Sequence, residues 1–310
     1  MAESTHIEWT DATWNPITGC AVVSPGCTNC YAMRLAGTRL RHHPSRIGLT
    51  TATKAGPVWN GQVRLNKSWL SQPLEWRKPR RIFTCAHGDL FAEGVRDDWI
   101  LDVFTVQAIA EHHTFQVLTK RTERAAEWLL PKGRLEDIYA NWTTFSGAPA
   151  EVWSWPLHNV QMGFSAERQG EFNHRWRDMR ALAEEGWTVF VSIEPMLGPI
   201  LLPVDFLALG GRAGVIVGGE SGQGARPMNP VWARRLRDQC AAAGVPFFFK
   251  QWGQWVAEDQ APDDVEWFED KTPSHRFAEP QGQVVWRVGK RFAGRALDGV
   301  THSDLPEVRR

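Results

Sequence analysis

The segment NVQMGFSAERQGEFNHRWRDMRALAEEGWTVFVSIEP (159–195) decides the fold, because it holds two short apolar runs separated by a longer amphipathic stretch. Short apolar runs bounded by Gly, Pro or Asp are typical of strands, and the amphipathic stretch is typical of a helix. The segment is therefore predicted to form a strand, a helix and a second strand.

The same alternation extends outward from this unit, beginning near residue 80. Further predicted strands are RIFTCA (81–86), TFQVLTK (114–120), AGVIVGGE (213–220) and PFFFKQW (246–252). Repeated βα units predict a mainly parallel sheet. With ITGC (17–20) as a first strand there are about seven strands, and we predict an α/β fold with a partial or complete (β/α) barrel.

This barrel is expected to occupy residues 1–252, with an insertion at 42–80 after a first helix over residues 31–41. Asn60-Gly61 in VWNGQVRL is a strong two-residue turn signal, so the insertion is predicted to contain a hairpin. Residues 253–310 are expected to form a small β extension that caps the barrel or faces the substrate.

The composition excludes several classes of protein. The chain has 310 residues, of which 43% are hydrophobic and 23% charged, as in folded globular proteins. Lys+Arg and Asp+Glu number 35 each, so global charge gives no argument for nucleic-acid or membrane binding. No apolar run approaches the roughly 18 to 20 residues that span a bilayer, and the polar amino terminus is no signal peptide, so we expect a cytoplasmic protein without membrane contact. Phosphate-loop, nucleophile-elbow and H-E-x-x-H motifs are absent from the sequence.

Three of the five cysteines fall in GCAVVSPGCTNCYA (19–32), as Cys20, Cys27 and Cys30. An odd cysteine count in a chain without an export signal favours metal or redox chemistry over a disulfide framework. Three thiolates suit a four-iron, four-sulfur cluster with one open iron. A zinc site is the alternative, if His42, His43 or His87 supplies a fourth ligand. A position at the carboxyl end of a barrel strand favours the cluster.

Charged side chains follow several of the predicted strands. They are Asp89, Lys120, Glu167, Glu194, Glu220 and Lys250. The carboxyl ends of barrel strands open into one mouth, so these side chains predict a site there, although each one alone also suits a helix cap. Arg226, in the glycine-rich GGESGQGARPM, is expected to pair with a ligand carboxylate or phosphate.

The segments WTDATWNPITGCAVVSPGCTNCYA, SIEPMLGPI, GGESGQGARPM and PFFFKQWG resemble the phage- and plasmid-borne three-cysteine-motif family, which is related to radical S-adenosylmethionine (radical SAM) enzymes. The resemblance implies a partial barrel, a 4Fe-4S cluster, and S-adenosylmethionine bound at the open iron. Reductive cleavage of S-adenosylmethionine would yield a 5′-deoxyadenosyl radical that abstracts hydrogen from a substrate. The first cysteine gap here is six residues, where the commonest radical enzymes have three.

The resemblance also implies S-adenosylmethionine contacts. The run GVIVGGE, which contains Gly218 and Glu220, is similar to the strand that contacts adenine in radical SAM enzymes. Asp89 stands where a motif holds the methionine amino group, and Ser165 and Glu167 stand where ribose hydroxyls or the methionine carboxylate and amine are bound. Glu194, in a turn before Pro195, is expected to bind a ligand hydroxyl or to form a salt bridge.

Two basic runs suggest a substrate class. One is Arg77, Lys78, Arg80 and Arg81, and the other is Arg287, Lys290, Arg291 and Arg295, interleaved with Trp69, Trp76, Trp286 and Phe292. Such runs grip nucleic acid, or they form a solvated face. The phage setting of the family that the chain resembles also implies DNA or a nucleotide as a substrate for modification or repair, and an electron donor is an expected partner. The alternative is a non-catalytic, metal-stabilised nucleic-acid-binding protein.

Overall fold

The computed structural model describes residues 5–146, 154–261, 272–278 and 282–307. Its strands are β1 Ala12–Trp14, β2 Ile17–Thr18, β3 Thr50–Thr53, β4 Gly56–Trp59, β5 Arg64–Leu65, β6 Arg81–Thr84, β7 Thr114–Thr119, β8 Val160–Ser165, β9 Thr188–Ile193, β10 Val215–Gly218, β11 Phe247–Gln251, β12 Trp255–Ala257, β13 Ser274–Arg276 and β14 Val284–Arg287. Its α-helices are α1 Tyr31–Gly37, α2 Gln72–Glu75, α3 Asp97–Ile109, α4 Thr122–Leu129, α5 Arg134–Ser146, α6 Gln169–Glu184, α7 Val204–Leu207, α8 Pro230–Ala243 and α9 Lys290–Ala293. In the part of the chain that the model describes, no helix combines the length and the apolar character needed to cross a membrane.

A seven-stranded sheet in the order β1-β6-β7-β8-β9-β10-β11 organises the fold. The pairs β1/β6, β6/β7 and β7/β8 are parallel, as are β9/β10 and β10/β11. Every residue of β8, β9 and β10 is buried, as expected for parallel strands covered on both faces. The parallel sheet with helices between its strands confirms the α/β class. Because the strand order has two ends, the barrel is partial.

The chain divides into two compact units. One comprises Met1–Phe164, Arg175–Val189 and Val308–Arg310, and the other comprises Ser165–His174 and Phe190–Glu307.

The first strand differs from the sequence prediction. The sheet begins at β1, whereas β2, which lies in the predicted strand ITGC, pairs antiparallel with β5 in a separate ribbon. Trp14 of β1 is fully buried and its indole Nε1 donates to the carbonyl of Trp69 at 2.7 Å. A three-residue strand with one tryptophan is too short to show a strand-like apolar pattern in the sequence. The first strand was therefore predicted at the next apolar residues, ITGC.

The insertion folds differently from its prediction as well. β3 pairs with β4 across a turn at Lys54-Ala55, while the Asn60-Gly61 turn separates β4 from β5, which pair with different partners. Helix α1 ends at Gly37, four residues early, where an added Cβ would come within 2.0 Å of Pro57. Packing of the helix end against the hairpin requires glycine there.

Helix α8 is capped at both ends. The Asn229 side chain accepts a hydrogen bond from the Val231 amide at 2.9 Å, and the C-cap residue is Gly244 with φ 65°. β12, β14 and β13 form the antiparallel sheet of the C-terminal extension. The parts of that extension at 262–271, 279–281 and 308–310 lie outside the described residues.

Candidate functional site

The three clustered cysteines lie on one loop between β2 and α1. Cys20 follows β2, Cys27 ends a 3-10 turn that begins at Pro25, and Cys30 is the N-cap residue of α1. Cys20 and Cys30 pack against the same small core, formed by Ala32, Met33, Ala36, Leu49 and Trp59. The two ends of the loop are thus anchored together.

Gly19 fixes the entry to this loop. Its φ of +98° lies in the region that favours glycine, and a Cβ there would lie 2.2 Å from the carbonyl oxygen of Gln62. The close approach of two backbone segments therefore places Cys20.

Two cations that follow β7 are directed at the loop's sulfur atoms. Lys120 Nζ lies 3.7 Å from Cys27 Sγ and donates to Ser24 Oγ at 2.8 Å. Arg121 Nη1 donates to Cys20 Sγ at 3.3 Å. Positive charge thus lies beside two of the three thiols.

The two thiols respond differently to their surroundings. Burial would raise the pKa of Cys27, but the Lys120 ammonium and hydrogen bonds from Ser24 outweigh it and lower that pKa. Burial, together with the Asp89 carboxylate, raises the pKa of Cys20 to about 12 in spite of Arg121. Cys27 is the more readily ionised of the pair.

Asp89 holds these cations in place. Its Oδ1 accepts from Thr119 Oγ1 at 2.7 Å and from the Phe91 amide at 3.0 Å. Its Oδ2 accepts from the Lys120 amide at 3.0 Å and from Arg121 Nη1 at 3.2 Å. Four protein donors occupy the acceptor sites of this carboxylate, and so a ligand ammonium bound there would replace one of them.

The thiols do not meet at one point. Ligands of a single zinc ion lie within about 4 Å of one another, since Zn–S bonds measure about 2.3 Å. Across the described ranges, no group of three or more His, Cys, Asp and Glu side chains is arranged to hold a metal ion. The three thiols are therefore not arranged around a single metal ion.

The histidines considered as a fourth zinc ligand each have protein partners. His42 Nε2 accepts from Arg41, His43 Nδ1 is bonded to Ser45 Oγ at 2.6 Å, and His87 Nδ1 lies 2.5 Å from Arg46.

Three soft thiols on one loop fit an iron–sulfur cluster, because each thiol then binds a different iron and the sulfur atoms need not touch.

The second unit holds the other predicted site residues. Glu194 Oε1 pairs with Lys250 Nζ at 2.9 Å, and its Oε2 accepts from Ser192 Oγ at 3.2 Å. A Cβ on Gly218 would lie 2.7 Å from Glu194 Oε1, so only glycine leaves this carboxylate undisturbed. The salt bridge expected for Glu194 is present, with Lys250.

Arg226 pairs with a residue of the chain itself. Its Nη2 and Nε donate to the Glu220 carboxylate at 2.6 and 2.8 Å, and its backbone amide donates to the same group at 2.8 Å. The hydrogen bonds that Arg226 donates to Glu220 raise the pKa of Arg226, and the charge of Glu167 adds to this. The sequence suggested a ligand anion as partner, whereas Glu220 closes the glycine-rich loop.

Ser165 and Glu167 are both buried at the end of β8. The backbone carbonyl of Glu167 accepts from the Leu197 amide at 2.8 Å, which ties this strand end to the segment after β9. Both residues therefore have a fixed backbone.

Arg121 is the functional residue that sequence reasoning missed. It follows Lys120 directly, and the paired cations at a strand end were the available signal. Cys85 and Cys240, the two cysteines outside the loop, are buried.

A family model described as "Protein of unknown function (DUF5131)" matches residues 4–306. No curated protein matches the chain. Among solved structures, a mutant of spore photoproduct lyase is similar at a TM-score of 0.37 and 12% identity, over 87% of this chain and 67% of that one. A likeness this distant carries no argument.

Proposed function

The chain belongs to the DUF5131 family of proteins of unknown function, and we propose that it is an iron–sulfur enzyme of the radical SAM type that modifies or repairs a nucleic acid or nucleotide. The observation that carries this proposal is the loop of three free thiols with Lys120 and Arg121 beside two sulfur atoms. Lys120 favours the ionised form of Cys27, and the ionised thiol is the form that ligates metal.

Cys20, Cys27 and Cys30 would hold a 4Fe-4S cluster through three of its irons. When bound, such a cluster supplies one electron and an open iron for the reductive cleavage of S-adenosylmethionine. Lys120 and Arg121 would offset the negative charge of the thiolates and, by hydrogen bonds to sulfur, tune the reduction potential. The electron has to come from a separate donor.

The S-adenosylmethionine contacts stay a prediction. They are Asp89, Ser165, Glu167, Glu194, Gly218 and Glu220. Burial of Ser165 and Glu167 supports the proposal, because polar groups in a buried network are held rigidly, whereas Glu220 is already bound by Arg226. The domain division at residue 252 and a cytoplasmic location also stay predictions.

Anaerobic purification with iron, sulfide and zinc analysis tests the proposal. We expect about four irons per chain, an absorption band that bleaches with dithionite, and formation of 5′-deoxyadenosine from S-adenosylmethionine. Cys27→Ala should lose the iron, whereas Cys240→Ala, the matched change at a buried cysteine of α8, should keep it. Stoichiometric zinc without cleavage would instead establish the metal-stabilised binding protein.

A further inference from the structure

One segment of the chain contains almost no acidic residues. Residues 12–88 contain eleven Lys and Arg and a single acidic residue, Glu75, which gives this segment a net charge of +10. The whole chain is neutral, so the remainder carries −10. The segment includes the three-cysteine loop and the basic run at 77–81.

Much of this segment forms one local substructure. Helix α1 packs on the β3–β4 hairpin through the small core that also contacts Cys20 and Cys30. Arg64 donates to the carbonyls of Pro44 at 2.8 Å and Ile47 at 2.7 Å, which fixes the connection between helix and hairpin. The positive charges are therefore carried on an ordered scaffold beside the thiols.

Several of these cations are exposed. Arg39, Arg41 and Lys54 are on the surface, and residues 12–74 contain no carboxylate side chain that could neutralise them locally. Glu93, an exposed acid, is itself bound by Arg121 at 3.4 Å. The surface potential of this substructure is therefore positive, and it attracts a polyanion.

Apolar and aromatic side chains are exposed within the same segment. Val22, Val23 and Ile47 are about half exposed, and Tyr31 is 53% exposed. The Tyr31 hydroxyl donates to the carbonyl of Ala86 at 2.5 Å, and its ring meets His87 edge-on. The ring is thus held still with half of its surface in solvent, as in platforms on which nucleic-acid bases stack.

We propose that residues 12–88 form a binding surface for single-stranded nucleic acid, in which Arg39, Arg41 and Lys54 contact phosphates and Tyr31 stacks on a base. A single strand is favoured over a duplex because only unpaired bases expose faces to an aromatic ring. The inference rests on the proposed function only in naming this strand as the enzyme's substrate. Binding itself requires neither a cluster nor S-adenosylmethionine.

Fluorescence anisotropy with a labelled single-stranded oligonucleotide of about 16 nucleotides tests the surface. Arg39→Glu/Arg41→Glu should weaken binding about tenfold or more. It should also reduce the slope of log affinity against log salt by about 1.4, for two lost phosphate contacts on a single strand. Lys290→Glu/Arg291→Glu makes the same charge change at the second basic run, on exposed residues of α9, and should leave affinity within about twofold.

A second pair of variants tests the aromatic contact. Tyr31→Ala should weaken binding, and Tyr31→Phe, which keeps the ring, should retain most of it. Thermal denaturation of each variant checks that the fold is intact. Binding is measured both on anaerobically purified protein and on protein freed of metal by a chelator, and equal affinity of the two preparations keeps this result independent of the metal assignment.

Three results would overturn the proposal. One is the absence of single-strand binding at low salt. Another is equal loss in both charge-reversal variants. The third is equally tight binding of duplex DNA or of phosphatidylserine vesicles, which would indicate a general polyanion or lipid surface.

Discussion

Arg121 and Asp89 form a buried ion pair, with Nη1 3.2 Å from Oδ2 and side chains only 7% and 6% exposed. Burial would lower the pKa of Arg121, but Asp89 outweighs it and the pKa is raised. The same guanidinium reaches Cys20 Sγ. The pair therefore links the loop after β6 to the thiol loop, and its loss should affect both.

Asp89→Asn should destabilise the protein by about 3 kcal/mol, because it leaves the Arg121 charge buried without its main partner. Urea denaturation of the metal-free protein measures this. Glu93→Gln is the matched control, since Glu93 pairs with the same Arg121 but is 67% exposed, and it should cost less than about 1 kcal/mol. Equal costs in the two variants would contradict the assignment of Asp89 as the main partner.

Arg226→Lys should loosen the glycine-rich loop at 221–225 although it keeps the charge. Lysine cannot make the two parallel bonds of Arg226 to Glu220, so at most one side-chain bond remains beside the backbone amide bond. Hydrogen exchange of that loop should speed up about tenfold, equivalent to about 1.4 kcal/mol of local opening.

Arg235→Lys on α8 is the control for this experiment and should leave exchange of the loop unchanged. If Arg226→Lys also left it unchanged, Glu220 would not be the group that closes the loop.

Asp298 should make stability depend on pH in the acidic range. Burial would raise its pKa, but hydrogen bonds from Arg234 and Arg237 lower it to about 2. Because the folded pKa lies below the unfolded value of about 3.9, the stabilisation is present above about pH 4 and is lost as pH falls towards 2.

Asp298→Asn tests this dependence and suits the backbone, since φ here is 52° and asparagine tolerates positive φ. The variant should be about 1 to 2 kcal/mol less stable at pH 6, allowing for partial exposure, and the difference should vanish near pH 2. Asp238→Asn alters an exposed partner of Arg237 and should stay within about 0.5 kcal/mol of wild type. A difference for Asp298→Asn that does not change with pH would contradict the ion pairs.

The sequence predicted six of the seven sheet strands, because each is an apolar run buried in the sheet. It missed β1, where burial rests on Trp14 in a polar context. It also misplaced the hairpin, because pairing of β5 with β2 overrides the local preference of Asn60-Gly61 for a tight turn. Local signals thus identified elements with strong periodicity, and long-range pairing decided the others.

The candidate site shows the same division. The spacing of Cys20, Cys27 and Cys30 was readable because the three lie on one loop. The Asp89–Arg121 pair joins residues 32 positions apart, and only the folded chain shows that Arg121 reaches a sulfur atom. Sequence patterns reveal which residue types are present, whereas partners distant in the chain depend on the sheet order.

Gly219→Ala should destabilise the second unit by about 3 kcal/mol, because the added Cβ would lie 1.9 Å from the backbone carbonyl oxygen of Trp252. The Gly219 amide also donates to the Gln251 carbonyl at 2.9 Å, so relief of the clash would pull apart the ends of β10 and β11. Gly211→Ala is the matched control, since no atom lies within 4 Å of its added Cβ, and it should stay within about 1 kcal/mol of wild type. Chemical denaturation of the two variants measures the difference. Equal denaturation midpoints would mean that the ends of β10 and β11 separate without cost, and that the close approach of Gly219 to Trp252 does not hold them together.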